Sequence, residues 1–282
     1  MKKNPLVSVI IPTYNEERLI LACLDSLLEQ SYQPLEIWVV DDGSTDQSLF
    51  LLDELKRTQP KIKILHQSHQ GPAKARNLAA HQANGEILVL MDADMTFDKN
   101  FIKELIKPIL AGEYKGTFSK EEYVSNWDNI WARCWNYNQN LGRRMIPENY
   151  PNEGLDFRAI LKAEFLRVGG FDDTGYTDTW TLAKKLGYQP QAVKGAKYFH
   201  ANSDNLSEVF IQAKWRAKRD YKWGFLGKLI TLVKVSLLVS LIIGVIKAIQ
   251  KKEASFLLFK LVYDLGQFLG ILEMTLFNKK SK

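Results

Sequence analysis

The chain has 282 residues, enough to bury one sizeable core and carry an appendage, and too few for three or more independent domains. Lys and Arg number 38 against 32 Asp and Glu, a net +6, with the excess gathered toward the C-terminus in KWRAKRDYK (214–222) and the closing NKKSK. Two cysteines, Cys23 and Cys134, exclude a disulfide framework; each sits in an apolar helical pattern and reads as a small buried hydrophobe. The opening MKKNPLVSVIIP is unlike a secretory signal, because its apolar run is short and broken by Pro12, so the globular part is expected in the cytoplasm.

Residues 6–11 (LVSVII) and 35–40 (LEIWVV) are β-branched apolar runs of strand length that stop at turn-forming residues. Between them, Glu16 to Gln30 places Leu19, Ile20, Cys23, Leu24, Leu27 and Leu28 at helical spacing. The alternation continues with a helix over 45–57, a strand at 61–65, a helix over 72–83 and the strand 86–91 (EILVLM). That order predicts an α/β fold with a doubly wound, mostly parallel sheet, whose ligands bind beyond the carboxyl ends of the strands. The segments at those ends read PTYNEE, DDGSTD and DADM. Past residue 112 the alternation fades into an aromatic stretch, in which Trp127, Trp131, Trp135 and Tyr137 form a core-facing stripe. Residues 155–161, a Gly-Gly turn at 169–170, a helix over 178–187 and a strand at 190–194 complete the globular part.

From Phe225 the composition turns apolar. Residues 235–246 carry no charge, and 256–277 are mostly apolar but include Lys260, Asp264 and Glu273. An uncharged run of this length falls short of the roughly 20 residues of a spanning helix, although Lys228, Lys234 and Lys247 could snorkel at its ends. Ser236, Ser240, Gly244 and Lys247 share one narrow stripe suited to contact with a second helix. A membrane hairpin over 225–282 is the reading taken; helices lying in the membrane plane and a soluble dimerisation arm are its alternatives.

Asp92 and Asp94 follow the strand EILVLM, so their carboxylates emerge at the ligand-binding edge as hard oxygen ligands suited to Mg²⁺ or Mn²⁺ on a diphosphate. Asp41 and Asp42 form a second acidic cluster, with Ser44 or Thr45 placed to cap the next helix. Lys74 and Arg76 sit in the first turns of the helix opened by Gly71, where cations oppose the helix dipole unless an anion such as phosphate lies nearby.

Together, VSVIIPTYNEE, VVDDGSTD, GPAKARNLAAHQANGEILVLMDADM and GGFDD resemble the family 2 inverting glycosyltransferases of the GT-A fold, over about residues 6–220. The resemblance implies a GT-A-like catalytic domain over 1–224, with a donor half to about 112, an acceptor half over 113–205 and a basic interfacial helix over 206–224. It implies a nucleotide-diphosphate sugar donor held by Pro12, Thr13, Tyr14, Glu16, Asp41 and Asp42 at its nucleoside, by Arg76 and Lys74 at its diphosphate, and by Asp92 on the ribose and metal side. Asp94 would coordinate the metal, with His200 matching the late histidine near the pyrophosphate; His66, His69 and His81 are given ordinary surface roles.

The family's base is the aspartate of a Glu-Asp pair before an LxxxL helix. Here Asp178 stands at the Glu and Thr179 at the Asp, and a threonine cannot act as a base near neutral pH. Either Asp178 takes the role, or the acceptor arrives already ionised, as a lipid phosphate would. The acceptor is expected to be lipid-linked or a glycan, met at the cytoplasmic face of the cell membrane; membrane lipids, and no nucleic acid, are the partners expected for the basic, Trp-bearing stretch. A sugar-phosphate nucleotidyltransferase would need a glycine-rich basic loop that IPTYNEER lacks, and an oxidoreductase would need GxGxxG after the first strand. A non-catalytic donor-binding scaffold is the remaining rival.

Overall fold

A computed structural model of the chain describes residues 4–174, 178–219 and 221–277. Its strands, in chain order, are β1 (Val7–Thr13), β2 (Leu35–Asp41), β3 (Ile62–His66), β4 (Ile87–Leu90), β5 (Met95–Phe97), β6 (Gly116–Ser119), β7 (Glu122–Val124), β8 (Ala159–Leu161), β9 (Gln191–Val193) and β10 (Tyr198–His200). The helices are α1 (Ile20–Leu28), α2 (Ser48–Thr58), α3 (Pro72–Gln82), α4 (Phe101–Leu110), α5 (Ile130–Asn138), α6 (Lys162–Arg167), α7 (Asp178–Leu186), α8 (Leu206–Ala217), α9 (Gly224–Lys234), α10 (Leu237–Lys251) and α11 (Phe256–Phe277). The chain divides into two compact units: residues to 123 with 146–173 and 177–200, and residues 124–145 and 174–176 with everything from 201 onward.

The first unit is built on a seven-stranded sheet in the order β3-β2-β1-β4-β8-β6-β9. Strands β1, β2 and β4 are buried almost throughout, which explains their continuous rather than alternating apolar runs: helices cover both faces. On one face Val7, Val9, Ile11, Ile37, Val39 and Val89 pack against α1 and α4 through Leu24, Leu27, Phe101 and Leu105. On the other, Ile10, Trp38, Val40, Leu88 and Leu90 meet the alanines of α3 and, from α7, Leu182 and Leu186.

The sheet is mostly parallel, as expected, with one strand reversed. Strand β8 runs antiparallel to both β4 and β6, so the sheet is mixed. The reversal has a local consequence: a strand running against β4 begins where β4 ends, and Val89 pairs with Ala159. Arg158 is thereby delivered beside the DAD segment. A second sheet, β5-β10-β7, pairs His200 with Met95 and so brings β10 next to Asp94.

In the second unit Trp135 and Cys134 of α5 are buried with Val209, Phe256 and Phe259, and Trp131 and Tyr137 pack against them as the aromatic stripe required. Trp127 precedes the helix and meets Tyr137 edge-on at 5.7 Å. Helix α11 lies against α8 through Gly266 and Gly270; a Cβ on Gly266 would come within 2.6 Å of the Phe210 carbonyl, and one on Gly270 would collide with that of Lys214. The stripe on α10 also finds its partner. Gly244 sits against Leu257, and Ser240 Oγ donates to Asp264 Oδ2 at 2.5 Å, while Lys260 Nζ lies 2.7 Å from Oδ1. Among the described residues no single helix is long and apolar enough to cross a membrane, although α9 and α10, bent by 58° at their break, pass that test together.

Candidate active site

The loops after β1 and β2 are laced together by side chains. The Asn15 amide donates to Ser44 Oγ at 3.0 Å and that of Glu16 to Ser48 Oγ at 2.8 Å, while Asn15 Oδ1 accepts from the Thr45 amide at 2.7 Å. Asp46 takes the Glu17 amide at 3.1 Å and the Ser48 amide at 2.9 Å. Ser44 and Thr45, the residues expected to cap α2, are thus engaged across the loop, and the cap position itself is Gln47. Thr13 Oγ1, at the end of β1, is buried without a hydrogen-bond partner among the described residues, and Pro12 beside it is half-buried. The Tyr14 ring is exposed and stacks on His69, 4.1 Å between centroids.

The two carboxylates after β2 differ. Asp42 is buried and tied to the next loop: it accepts from the Gln70 amide at 2.8 Å, the Gly71 amide at 2.9 Å and Gln67 Nε2 at 2.6 Å, with His69 Nδ1 at 3.0 Å. Both of its oxygens hold the loop that opens α3, and His69 gains a role the sequence did not indicate. Asp41, equally buried, takes the Ser44 amide only at 3.4 Å, with His66 Nδ1 at 3.9 Å, so its oxygens are held more loosely.

The two cations of α3 differ, Arg76 being buried and Lys74 exposed. Arg76, expected at the diphosphate, is buried, with Nη2 2.5 Å from Asp92 Oδ1 in an ion pair with the first aspartate of DAD. Lys74 Nζ lies 3.6 Å from Asp173 Oδ2 at the GGFDD turn. That turn is braced by Asn77, which donates to the Phe171 carbonyl and accepts from its amide, both at 2.9 Å. Gly170, at φ 68°, has no room for a Cβ against the Asn77 side chain.

Asp92 takes a second guanidinium, Arg158 Nη1, 3.3 Å from Oδ2. Burial would raise the Asp92 carboxyl, but Arg76 and Arg158 hold it well below the usual carboxylate range. Two arginines engage both its oxygens. Asp94 is different: Oδ2 lies 2.8 Å from His200 Nε2, whereas Oδ1 is buried with no hydrogen-bond partner among the described residues. The other ring nitrogen, Nδ1, lies 2.8 Å from Glu122 Oε1. Burial alone would lower the His200 pKa, and the two flanking carboxylates raise it well above its ordinary value. Glu16 faces the same group, its carboxyl pushed up to about 8 by burial and then by the charge of Asp94.

Among the described residues no three or more His, Cys, Asp or Glu side chains form a ready-made metal cage. The donor set nevertheless fits a divalent cation. An orphaned, buried carboxylate oxygen beside an imidazole nitrogen supplies one or two protein ligands, and such ions usually complete their shell with water and substrate phosphates. Asp178 is the first residue of α7; its side chain, and Tyr176 and Thr177 before it, lie outside the described residues. Arg158 and Glu122 are the site residues that sequence reasoning missed.

The chain is similar to known glycosyltransferases. Over 107 residues the chain is 35% identical to the glycosyltransferase GlyG of Streptococcus pneumoniae, an alignment spanning 38% of this chain and 36% of that protein. Over 100 residues it is 39% identical to the poly(ribitol-phosphate) beta-N-acetylglucosaminyltransferase TarS of Staphylococcus aureus, spanning 34% of this chain and 18% of TarS. These stretches leave most of each relative unmatched. Among solved structures, the mannosyltransferase PcManGT from Pyrobaculum calidifontis, in complex with GDP-Man and Mn²⁺, superposes with a TM-score of 0.63 at 22% identity over 98% of this chain and 88% of that one. TarS 1–349 in complex with UDP-GlcNAc gives 0.58 at 18% identity over 98% and 93%. At such identities the likeness is one of fold, and the fold is GT-A-like. A family profile, Glycosyl transferase family 2, matches residues 8–167, more than half of the sequence, and the chain belongs to that family.

Proposed function

We propose that this protein transfers a sugar from a nucleotide-diphosphate donor to an acceptor hydroxyl or phosphate, with inversion at the anomeric carbon. The observation that carries the reading is the pair Asp94 and His200 at the edge of the parallel strands, with Asp94 Oδ1 buried and unpartnered. A divalent ion held there would supply Lewis-acid neutralisation of the departing diphosphate. The relatives GlyG and TarS, both glycosyltransferases, and neighbours crystallised with GDP-Man or UDP-GlcNAc support a nucleotide-sugar donor.

The chain's own residues divide the work. The loop from Pro12 to Glu16 and the loosely held Asp41 receive the nucleoside, with Tyr14 stacked on His69 at its border. Arg76 and Arg158 fix Asp92, so that the segment carrying Asp94 is held in one place before substrate arrives. Lys74, only 3.6 Å from an exposed Asp173, is the cation of α3 best placed to exchange its partner for a phosphate. Asp178 at the start of α7 receives the acceptor proton where the acceptor is a hydroxyl.

The acceptor is lipid-linked or a glycan, used at the cytoplasmic face of the cell membrane. Supporting this is the outward surface of α9 and α10, where Trp223, Phe225, Leu237, Leu238 and Ile242 are exposed, flanked by Lys222, Lys228 and Lys234. Because α11 is covered by α8 and carries the buried pair Lys260–Asp264, the region reads as helices lying on the membrane surface rather than a spanning hairpin. The test is transfer from a panel of nucleotide sugars to hydroxyl and phosphate acceptors by wild type and Asp178→Asn. The proposal expects one donor to turn over, and the variant to lose about 10²–10⁴-fold on hydroxyl acceptors only. No turnover with any donor would reject it.

A further inference from the structure

Glu122 stands outside every motif, yet it is the buried residue on which His200 leans. Its Oε1 lies 2.8 Å from His200 Nδ1, and its Oε2 accepts the Tyr198 hydroxyl at 2.9 Å. Tyr198 and Glu122 are both buried, so the carboxylate is clamped by neighbours that are themselves fixed. The backbone adds to this. β10, which carries Tyr198 and His200, is hydrogen-bonded between β7 and β5, with His200 opposite Met95, one residue beyond Asp94. A histidine without a partner on its second nitrogen can rotate its ring and present either tautomer. Here the second nitrogen is taken, and Nε2 is the one that faces Asp94 at 2.8 Å.

We propose that Glu122 is a positioning residue: by accepting the Nδ1 proton of His200 it fixes the ring and presents Nε2, together with Asp94, as a ligand pair for a divalent cation. The chain of contacts runs Tyr198 hydroxyl, Glu122, His200, Asp94, and ends on the orphaned Asp94 Oδ1. A carboxylate behind a ligating imidazole fixes ring orientation and raises its basicity, and its loss typically costs 10–100-fold in metal affinity. The inference rests on the metal reading of Asp94 and His200.

The experiment uses the full chain and Mn²⁺ alone, with free Mn²⁺ followed by electron paramagnetic resonance, and needs no turnover. Glu122→Gln keeps the shape but lets an amide N–H face Nδ1; Glu122→Met removes the acceptor. Both are expected to weaken Mn²⁺ binding about 10–100-fold, more than any fall in the melting temperature of the metal-free protein explains. A merely structural role would lower the melting temperature and leave the affinity of the folded protein unchanged. Should the Met variant fail to fold, the Gln variant decides. Unchanged Mn²⁺ affinity in folded Glu122→Gln, with binding lost in Asp94→Asn, would overturn the role of Glu122 alone. Equal binding by wild type and Asp94→Asn, or none by wild type, would overturn the metal reading and this inference with it.

Discussion

The two aspartates of the DAD segment are expected to respond unequally to the same substitution. Asp92→Asn removes the charge that compensates Arg76 and Arg158, whose side chains are only 7% and 17% exposed. Stripping one partner from a fully buried pair costs about 3–5 kcal/mol, because the remaining charge is left uncompensated. Asp92 itself is 33% exposed, and Arg158 keeps the face of Tyr198 at 5.6 Å, so water and the ring absorb part of the loss. A cost of about 2–3 kcal/mol follows, or roughly 4–12 °C in melting temperature for a chain of this size. Asp94→Asn removes one of the two carboxylates flanking His200 but also relieves the repulsion that, after burial, raises the pKa of Glu16, and it should cost less than Asp92→Asn. Differential scanning calorimetry of the metal-free proteins measures both. If Asp92→Asn melts with the wild type, or Asp94→Asn falls further than Asp92→Asn, the division into an anchoring and a ligating aspartate is wrong.

Gly270→Ala should destabilise by about 1–3 kcal/mol, because its Cβ meets the Lys214 backbone, which cannot swing away; helix propensity alone predicts the opposite sign, so a raised melting temperature would refute the close α8–α11 contact. For Glu36, burial would raise the carboxyl, but Lys63 Nζ, Ser8 Oγ and the Asn84 amide, each at 2.6 Å, bring it down to about 2. A folded pKa below the unfolded value gives stability that is present above about pH 4.5 and lost as pH falls toward about 2. Glu36→Gln should therefore be less stable than wild type at neutral pH, with a gap that narrows in acid; a gap independent of pH contradicts the assignment. Replacing Leu237, Leu238 and Ile242 together by Ser should abolish flotation with anionic vesicles while leaving donor binding intact, and unaltered flotation would remove α10 from the membrane contact.

Much of the first unit was legible because its strands are long apolar runs and its helices carry clear periodicity. Ile11, Val40 and Met91 did mark the edge where the acidic loops gather, and both cysteines are buried as their patterns required. What escaped notice is short or solitary. Strands β5, β7 and β10 have three residues each, too few for any period to emerge, yet they bring His200 to Asp94. Arg158 is a lone arginine 66 positions from Asp92, visible only once β8 is known to run backward. The internal partners of Asp42 and Arg76 were hidden for one reason: a motif shows which polar groups gather at a strand end, not which of them spend their hydrogen bonds on one another. The GxxxG spacing of Gly266 and Gly270 is visible in the sequence and marks the closest helix contact of the second unit, tighter than that at Gly244.

The central claim is that Asp94 and His200 hold a divalent cation that binds the donor's diphosphate. Isothermal titration calorimetry of the full chain with nucleotide-diphosphate sugars, with Mn²⁺ and then with chelator, tests it most directly. The account predicts that one donor binds wild type only when Mn²⁺ is present, and that Asp94→Asn weakens this binding at least about tenfold, or roughly 1.4 kcal/mol, without unfolding the protein. Equal donor affinity in chelator, and in folded Asp94→Asn, would contradict it.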